Sequence, residues 1–202
     1  LRGREISRWS VNCNYLIVAP VTPGDESKAL SLPNLKAKYP HTYEYLRHFE
    51  SDLKGRSGYI KYLSSQPFYA QYNIGPYSFA KYKVVWLRIS NDITAAVAVD
   101  VLPDNGVTFV AFSQKDEALY FCALMNSTPV RWAIAKFSVA GTGTWGSPQI
   151  LTRVAIPRFD RNNDSHAELS ELSIQCHEAA LKDDMAAIAG MESKIDVAAA
   201  GL

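Results

Sequence analysis

The residues in this chain best suited to chemistry are lysines set among aromatic rings. Tyr59, Tyr62, Phe68, Tyr69, Tyr72, Tyr77, Phe79, Tyr82 and Trp86 are interleaved with Lys61, Lys81, Lys83 and Arg88. Flat apolar surface with cationic donors suits the binding of a polyanion rather than its cleavage. Tyr, Phe and Trp also favour strands, and Tyr82, Val84 and Trp86 occupy alternate positions that face one side of a sheet, so most of these rings are expected in a core. On that pattern Lys81, Lys83 and Leu87 lie on the opposite face, which leaves the lysines available.

Other candidate motifs carry less. Gly141 to Gly146 spells GxGxxG, and Asp160 follows at about the distance of a ribose-binding acid. The dinucleotide fingerprint needs a strand before the glycines and a helix starting at them, whereas here a helical segment precedes and Pro148 and Pro157 bracket a strand-like one. Two readings stay open: a loop presenting Trp145 and free backbone amides to a ligand, or a tight connection between a helix and a strand. His41, His48, His166 and His177 are too sparse for a metal site, no HExxH pattern occurs, and all four read as helix-surface residues. Asp164-Ser165-His166 holds triad residue types, but neighbours at a helix start do not converge as a triad must, and capping explains them. The pairs Asp116-Glu117 and Asp183-Asp184 fit first-turn or solvated helix positions. Cys13, Cys122 and Cys176 are odd in number and lack CxxC spacing, which argues for reduced packing cysteines. No catalytic residue, cofactor-binding residue or metal ligand is expected within the chain.

The elements that must position the lysines follow from the composition. With 202 residues, 48% of them hydrophobic, the chain can bury one good core, expected as a domain over 1–161 with an appendage over 162–202. The net charge of +1 is unevenly divided: residues 1–161 carry 19 Lys and Arg against 12 Asp and Glu, giving +7, while 162–202 carry 2 against 8, giving −6. A basic body attracts phosphates, and an acidic tail should point away from the same ligand. No secretory leader and no apolar run of membrane-spanning length is apparent, and the opening at Leu1 reads as an excised piece of a cytoplasmic protein.

The patterning predicts an α+β fold, a twisted and mainly antiparallel sheet with flanking helices and a long C-terminal helix. Strands are expected at Tyr15–Ala19, Phe68–Tyr72, Lys83–Ile89, Thr94–Asp100, Val107–Phe112 and Thr152–Ile156, with a hairpin turn at Pro103-Asp-Asn-Gly106. Helices are expected over 32–53 with a break at Pro40, over 116–126, and over 129–137 with Thr128 as its cap. In the tail, Asp164 or Ser165 with Glu168 resembles a capping box, and Ile174, Leu181, Ile188 and Ile195 recur at heptad spacing along one expected helix that packs on the body or on a partner.

Taken in order, the motifs LRGREISRW, YPHTYEYL, QYNIGPYSFAKYKVVWLRIS, VTFVAFSQKDEALYFCALMNSTPVRW and GSPQILTRVAIPRFD followed by a helix resemble the C-terminal target recognition domains of adenine-specific DNA methyltransferases of type IIG restriction-modification systems, with their TaqI-like specificity domain. The closing Gly-Ser-Pro, strand, Ile-Pro, helix order is also similar to type I specificity subunits. The likeness spans nearly the whole chain. It implies recognition of a short double-stranded DNA site, next to a methyltransferase domain of the same polypeptide that binds S-adenosylmethionine and, in some systems, a nuclease. The chain has neither an Asn/Asp-Pro-Pro-Tyr/Phe motif nor a glycine loop between a strand and a helix, so the chemistry is expected upstream and no cofactor is expected here. On residue chemistry and loop placement, Arg56, Lys61, Lys81 and Lys83 are expected to position phosphates, and Thr142, Thr144, Trp145 and Ser147 to contact a groove. The alternative is a protein-interaction or structural module whose basic body is incidental.

Overall fold

Ile6–Ser7 (β1) and Ser10–Val11 (β2) form a small antiparallel hairpin in the computed structural model, which describes residues 1–138 and 145–202. The turn places Trp9 at φ 65°, a left-handed conformation disfavoured for a bulky residue. Burial holds it there: the ring is almost wholly enclosed, and its Nε1 donates to the Glu192 carboxylate at 2.7 Å.

The next stretch, Leu16–Phe79, is one of two compact units; the other is Leu1–Tyr15 with Ala80–Leu202. It opens with the antiparallel pair Val21–Thr22 (β3) and Asp25–Ala29 (β4), turned by Gly24 at φ 81°, where a side chain would be strained. Three short helices follow, Leu32–Lys38 (α1), Pro40–Arg47 (α2) and Glu50–Gly55 (α3). Pro40 closes the first and opens the second, because it has no N–H to give to the preceding turn yet suits a first helical position. Leu30, Leu35, Leu46, Phe68 and Tyr69 form this unit's core, and the Tyr69 hydroxyl donates to the Leu30 carbonyl at 2.6 Å.

Two expected strands of this region are absent. Phe68–Tyr72 is a turn segment whose Phe68 and Ala70 carbonyls accept from the Arg56 guanidinium instead of a neighbouring strand. Tyr15–Ala19 is irregular, and Leu16, Ile17 and Val18 are exposed. Strand propensity describes fit to a half-buried pleated surface, and among the described residues no strand lies beside this segment.

In the larger unit, Tyr82–Leu87 (β5) is the centre of a three-stranded antiparallel sheet, flanked by Ala96–Val99 (β6) on one edge and Val107–Phe112 (β7) on the other. The Pro103–Gly106 turn therefore does not close a hairpin; the chain crosses from one edge of β5 to the other. Its Asp104 N–H donates to the Leu1 carbonyl at 2.9 Å, and its Asp104 carboxylate accepts from Gly106 N–H at 2.8 Å. Val84 and Trp86 point into the main core, while Val85 and Ala98 meet Leu1 and Ile6 on the other face.

Helices Lys115–Asn126 (α4), Thr128–Phe137 (α5), Asp164–Ala180 (α6) and Met185–Ala200 (α7) complete the chain, which ends in a long helix as expected. Ser127 rather than Thr128 caps α5, its hydroxyl accepting from Val130 N–H at 3.4 Å. Thr128 donates both its N–H and its hydroxyl to Asp196, each at 2.7 Å. Asn163 caps α6. The expected strand at Thr152–Ile156 is instead a 3-10 turn at Pro148–Thr152 followed by irregular chain. The heptad run is carried by two helices, because Asp183 adopts φ 54° and Asp184 caps a new helix by accepting from Ala187 N–H at 3.0 Å. Leu169, Leu172, Ile188 and Ile195 share the main core with Trp86, so residues 162–202 belong to the larger unit, and the chain divides at 15/16 and 79/80. No helix among the described residues is long and apolar enough to cross a membrane.

Candidate nucleic-acid interface

Two of the expected phosphate contacts stand at the start of β5, Lys81 just before the strand and Lys83 within it, and the structure separates their roles. Lys81 is exposed, with its Nζ 5.4 Å from the Tyr82 ring centroid. Lys83 is buried at 1% exposure, and its ammonium donates to the Ala80 carbonyl. Burial lowers its pKa, an effect that Asp100 partly opposes. Alternation placed Lys83 on the face opposite Trp86, but the N-terminal segment covers that face too. A sheet covered on both sides leaves no solvated face, and Lys83 is corrected from a phosphate contact to a core residue.

At the far end of β5 stands Trp145–Ser147, the described flank of the glycine-rich sequence. Thr142 and Thr144 lie outside the described residues. Trp145 packs half-buried on the main core, and its N–H donates to the Ser90 carbonyl at 3.2 Å. The Gly146 carbonyl accepts from Trp86 Nε1 at 3.1 Å and from the Thr108 hydroxyl at 2.7 Å. A Cβ on Gly146 would sit 1.8 Å from the Leu87 carbonyl oxygen, so only glycine allows this close approach of two backbones. The Ser147 hydroxyl donates to the Gln149 side chain. Arg88 and Ile89, beside this mount, are exposed, and Arg88 forms no ion pair among the described residues. Lys81 precedes β5 and this mount lies at the strand's far end, roughly 20 Å away at about 3.3 Å per residue.

Among the described residues, the helix Thr128–Phe137 precedes the GxGxxG pattern and the 3-10 turn Pro148–Thr152 follows it.

In the smaller unit, Arg56 is a clamp rather than a free cation. Its guanidinium donates to the carbonyls of Leu53 at 2.8 Å, Phe68 at 3.1 Å and Ala70 at 2.9 Å, and to Gln71 Oε1 at 3.4 Å. Desolvation lowers its pKa, with Tyr59 acting in the opposite sense. Its donors are committed to holding the turn at 68–71, which corrects its assignment as a phosphate contact. Lys61 is exposed on a π-helical turn, Tyr59–Leu63, with Nζ 5.1 Å from the Tyr62 centroid. Tyr62 stacks on Tyr72, centroids 4.5 Å apart and planes 14° from parallel. Sequence reasoning also passed over Trp132, which is exposed on α5 with Lys136 Nζ 4.6 Å above its ring. The signal was there, since Trp and Lys stand four residues apart on a helix.

Two histidines and two cysteines are structural. His177 and His166 are not surface residues: His177 Nε2 accepts from Val97 N–H at 2.9 Å, and His166 Nδ1 accepts from Asp160 N–H at 3.0 Å. Burial pushes the thiols of Cys122 and Cys176 up, the latter to about 12, so both stay protonated, while Cys13 is exposed. Among the described residues no group of three or more His, Cys, Asp or Glu is placed to hold a metal ion.

No protein-family model matches the chain, and none of the curated proteins matches it.

Proposed function

We propose that this chain reads a double-stranded DNA sequence as the target recognition domain of an adenine-specific DNA methyltransferase, acting in the cytoplasm. The methyl donor S-adenosylmethionine binds to another part of the parent polypeptide, in its methyltransferase domain. The observation that carries the reading is the mount at Trp145–Ser147. Hydrogen bonds from Trp86 of the central strand, from Thr108 of β7 and to Ser90, with a backbone contact open only to glycine, fix Trp145 and Gly146 at the end of the Gly-Thr-rich sequence, beside an exposed Arg88. Polar residues carried from a rigid base suit the reading of base edges. Lys81 and Arg88 of the larger unit position phosphates, Lys61 of the smaller unit makes a phosphate contact of its own, and Thr142, Thr144, Trp145 and Ser147 meet a groove. Selection of duplexes from a random pool by the full chain, followed by sequencing, tests this. A short enriched motif whose binding weakens steeply with salt supports the reading; no enrichment overturns it.

A second reading, a protein-interaction module, is favoured by one observation. Leu16, Ile17 and Val18 are exposed, and the latter two line an apolar cavity of about 390 Å³ with Leu30, Leu35 and Tyr39. Salt-independent association with a protein and none with DNA would favour it.

A further inference from the structure

The stacked tyrosines of the smaller unit have no task in reading a duplex, yet they are exposed and firmly held. Tyr62 is 53% exposed and Tyr72 46%, while their planes stay nearly parallel. Both ring-bearing segments are tied to one residue. The Arg56 carbonyl accepts from Ile60 N–H at 3.0 Å at the start of the turn that bears Tyr62, and its guanidinium holds the Phe68 and Ala70 carbonyls and the Gln71 side chain just before Tyr72. Tyr59 closes the intervening loop, its hydroxyl donating to the Gln66 carbonyl at 2.8 Å. Gly58 backs Tyr72 so closely that a Cβ there would lie 3.3 Å from the Tyr72 Cβ.

The segment that bears the rings has charge of one sign. From Leu53 to Phe79, within the smaller unit, the sequence holds no Asp or Glu, against Lys54, Arg56 and Lys61. Within this stretch Lys61 is exposed with its Nζ over the Tyr62 ring, 5.1 Å from the centroid, while Lys54 forms a salt bridge to Glu50. Parallel rings extend favourably by one more flat π system, and a flexible ammonium beside them attracts the phosphate linked to it.

We propose that Tyr62 and Tyr72, with Lys61, form a platform on which an unpaired base of a single DNA strand stacks. The platform rests on the reading of the chain as a DNA-binding protein and adds a site for a strand displaced from pairing. Arg56 and Gly58 are positioning residues that hold the rings in register. Stacking is tolerant of base identity because every base presents a π face, so this site contributes affinity without sequence preference.

The test is fluorescence anisotropy of labelled oligodeoxythymidine of about eight nucleotides, titrated with the 202-residue chain and its variants. Tyr62→Leu and Tyr72→Leu keep bulk and lose the flat π face, and each should weaken binding by about 5- to 150-fold. Tyr62→Phe should stay within about twofold of wild type, since the ring face remains. Lys61→Gln, an exposed change that leaves the rings in place, should lower the log–log salt slope by about 0.7. The platform is overturned if the wild-type chain does not bind the oligonucleotide, or if the leucine variants bind it as well as wild type does. A chain that selects a duplex motif yet ignores the single strand overturns the platform and leaves the duplex reading standing. Tyrosine-dependent binding of the single strand without selection of any duplex overturns the duplex reading and leaves the platform.

Discussion

Trp86 Nε1 donates to the Gly146 carbonyl at 3.1 Å, joining the centre of the sheet to the end of the glycine-rich sequence across 60 residues of chain. Both ends of the bond are buried, and the carbonyl accepts from the Thr108 hydroxyl as well, so it is displacement of Gly146 that strands the Trp86 N–H away from water.

Gly146→Ala should therefore be costly out of proportion to one methyl group. Its Cβ meets the Leu87 carbonyl oxygen at 1.8 Å and the Arg88 carbonyl oxygen at 2.8 Å, and neither backbone can turn aside as a side chain can. Urea unfolding is expected to show a loss of about 1–3 kcal/mol, with selection of duplex sequence impaired. An unchanged midpoint and unchanged selection would mean that the segment relaxes freely.

Lys81 and Lys83 should separate cleanly. Lys81→Ala is expected to leave stability unaltered, weaken all duplexes alike and reduce the log–log salt slope by about 0.9. Lys83→Met should leave that slope unchanged and hold or raise stability, because it removes a desolvated charge without leaving a buried partner charge behind. Duplex titrations at several salt concentrations, paired with urea unfolding of both variants, check this. A salt slope altered by Lys83→Met would place its ammonium on the DNA side after all.

Along the heptad run, position decides outcome more than residue type. Leu181 stands in the break between α6 and α7 at 79% exposure, whereas Ile188 is 5% exposed in the main core. Leu181→Asp should shift stability by less than about 0.5 kcal/mol, and Ile188→Asp should cost more than about 3 kcal/mol or abolish folding. Thermal melts of the two variants, run side by side, make the comparison, and equal effects would restore a single continuous seam.

Acid should loosen the molecule through His177. Its Nε2 accepts the Val97 N–H and its Nδ1 faces the Ser173 carbonyl at 2.7 Å, an arrangement that suits the neutral ring protonated at Nδ1. Burial holds its pKa below the usual 6.5, the Ser173 carbonyl opposes this, and Lys115 adds to the lowering. With the folded pKa below the unfolded one, the unfolded chain takes up the proton first as pH falls. The contribution to stability is thus complete above about pH 6.5 and is lost as pH drops through the folded value. Unfolding midpoints from about pH 8 to about pH 5 should fall more steeply in wild type than in His177→Gln. Parallel curves would assign the acid response to other groups.

Much of this was legible in the residues themselves. The α+β class, the strand at β5 and the helices α4 and α5 followed from period and composition, because short-range propensity and one-sided burial act through neighbours in sequence. Pro40 marked the break between α1 and α2 for the same local reason. The break before α7 was not visible, since a heptad pattern continues across Asp183 whether or not the backbone turns there.

Tertiary structure alone decided which charged groups are free. Lys61, Lys81 and Lys83 look alike in sequence, and so do Arg56 and Arg88. What divides them is whether a distant segment covers them: the N-terminal segment closes over the sheet face of Lys83, and the carbonyls of Phe68 and Ala70 engage Arg56. The strand order β6-β5-β7 was likewise hidden, because a turn signal at 103–106 fixes a local reversal but not the edge to which the next strand returns. Sequence sets what each residue can do with its neighbours, and burial by remote chain determines which of those capacities remain at the surface.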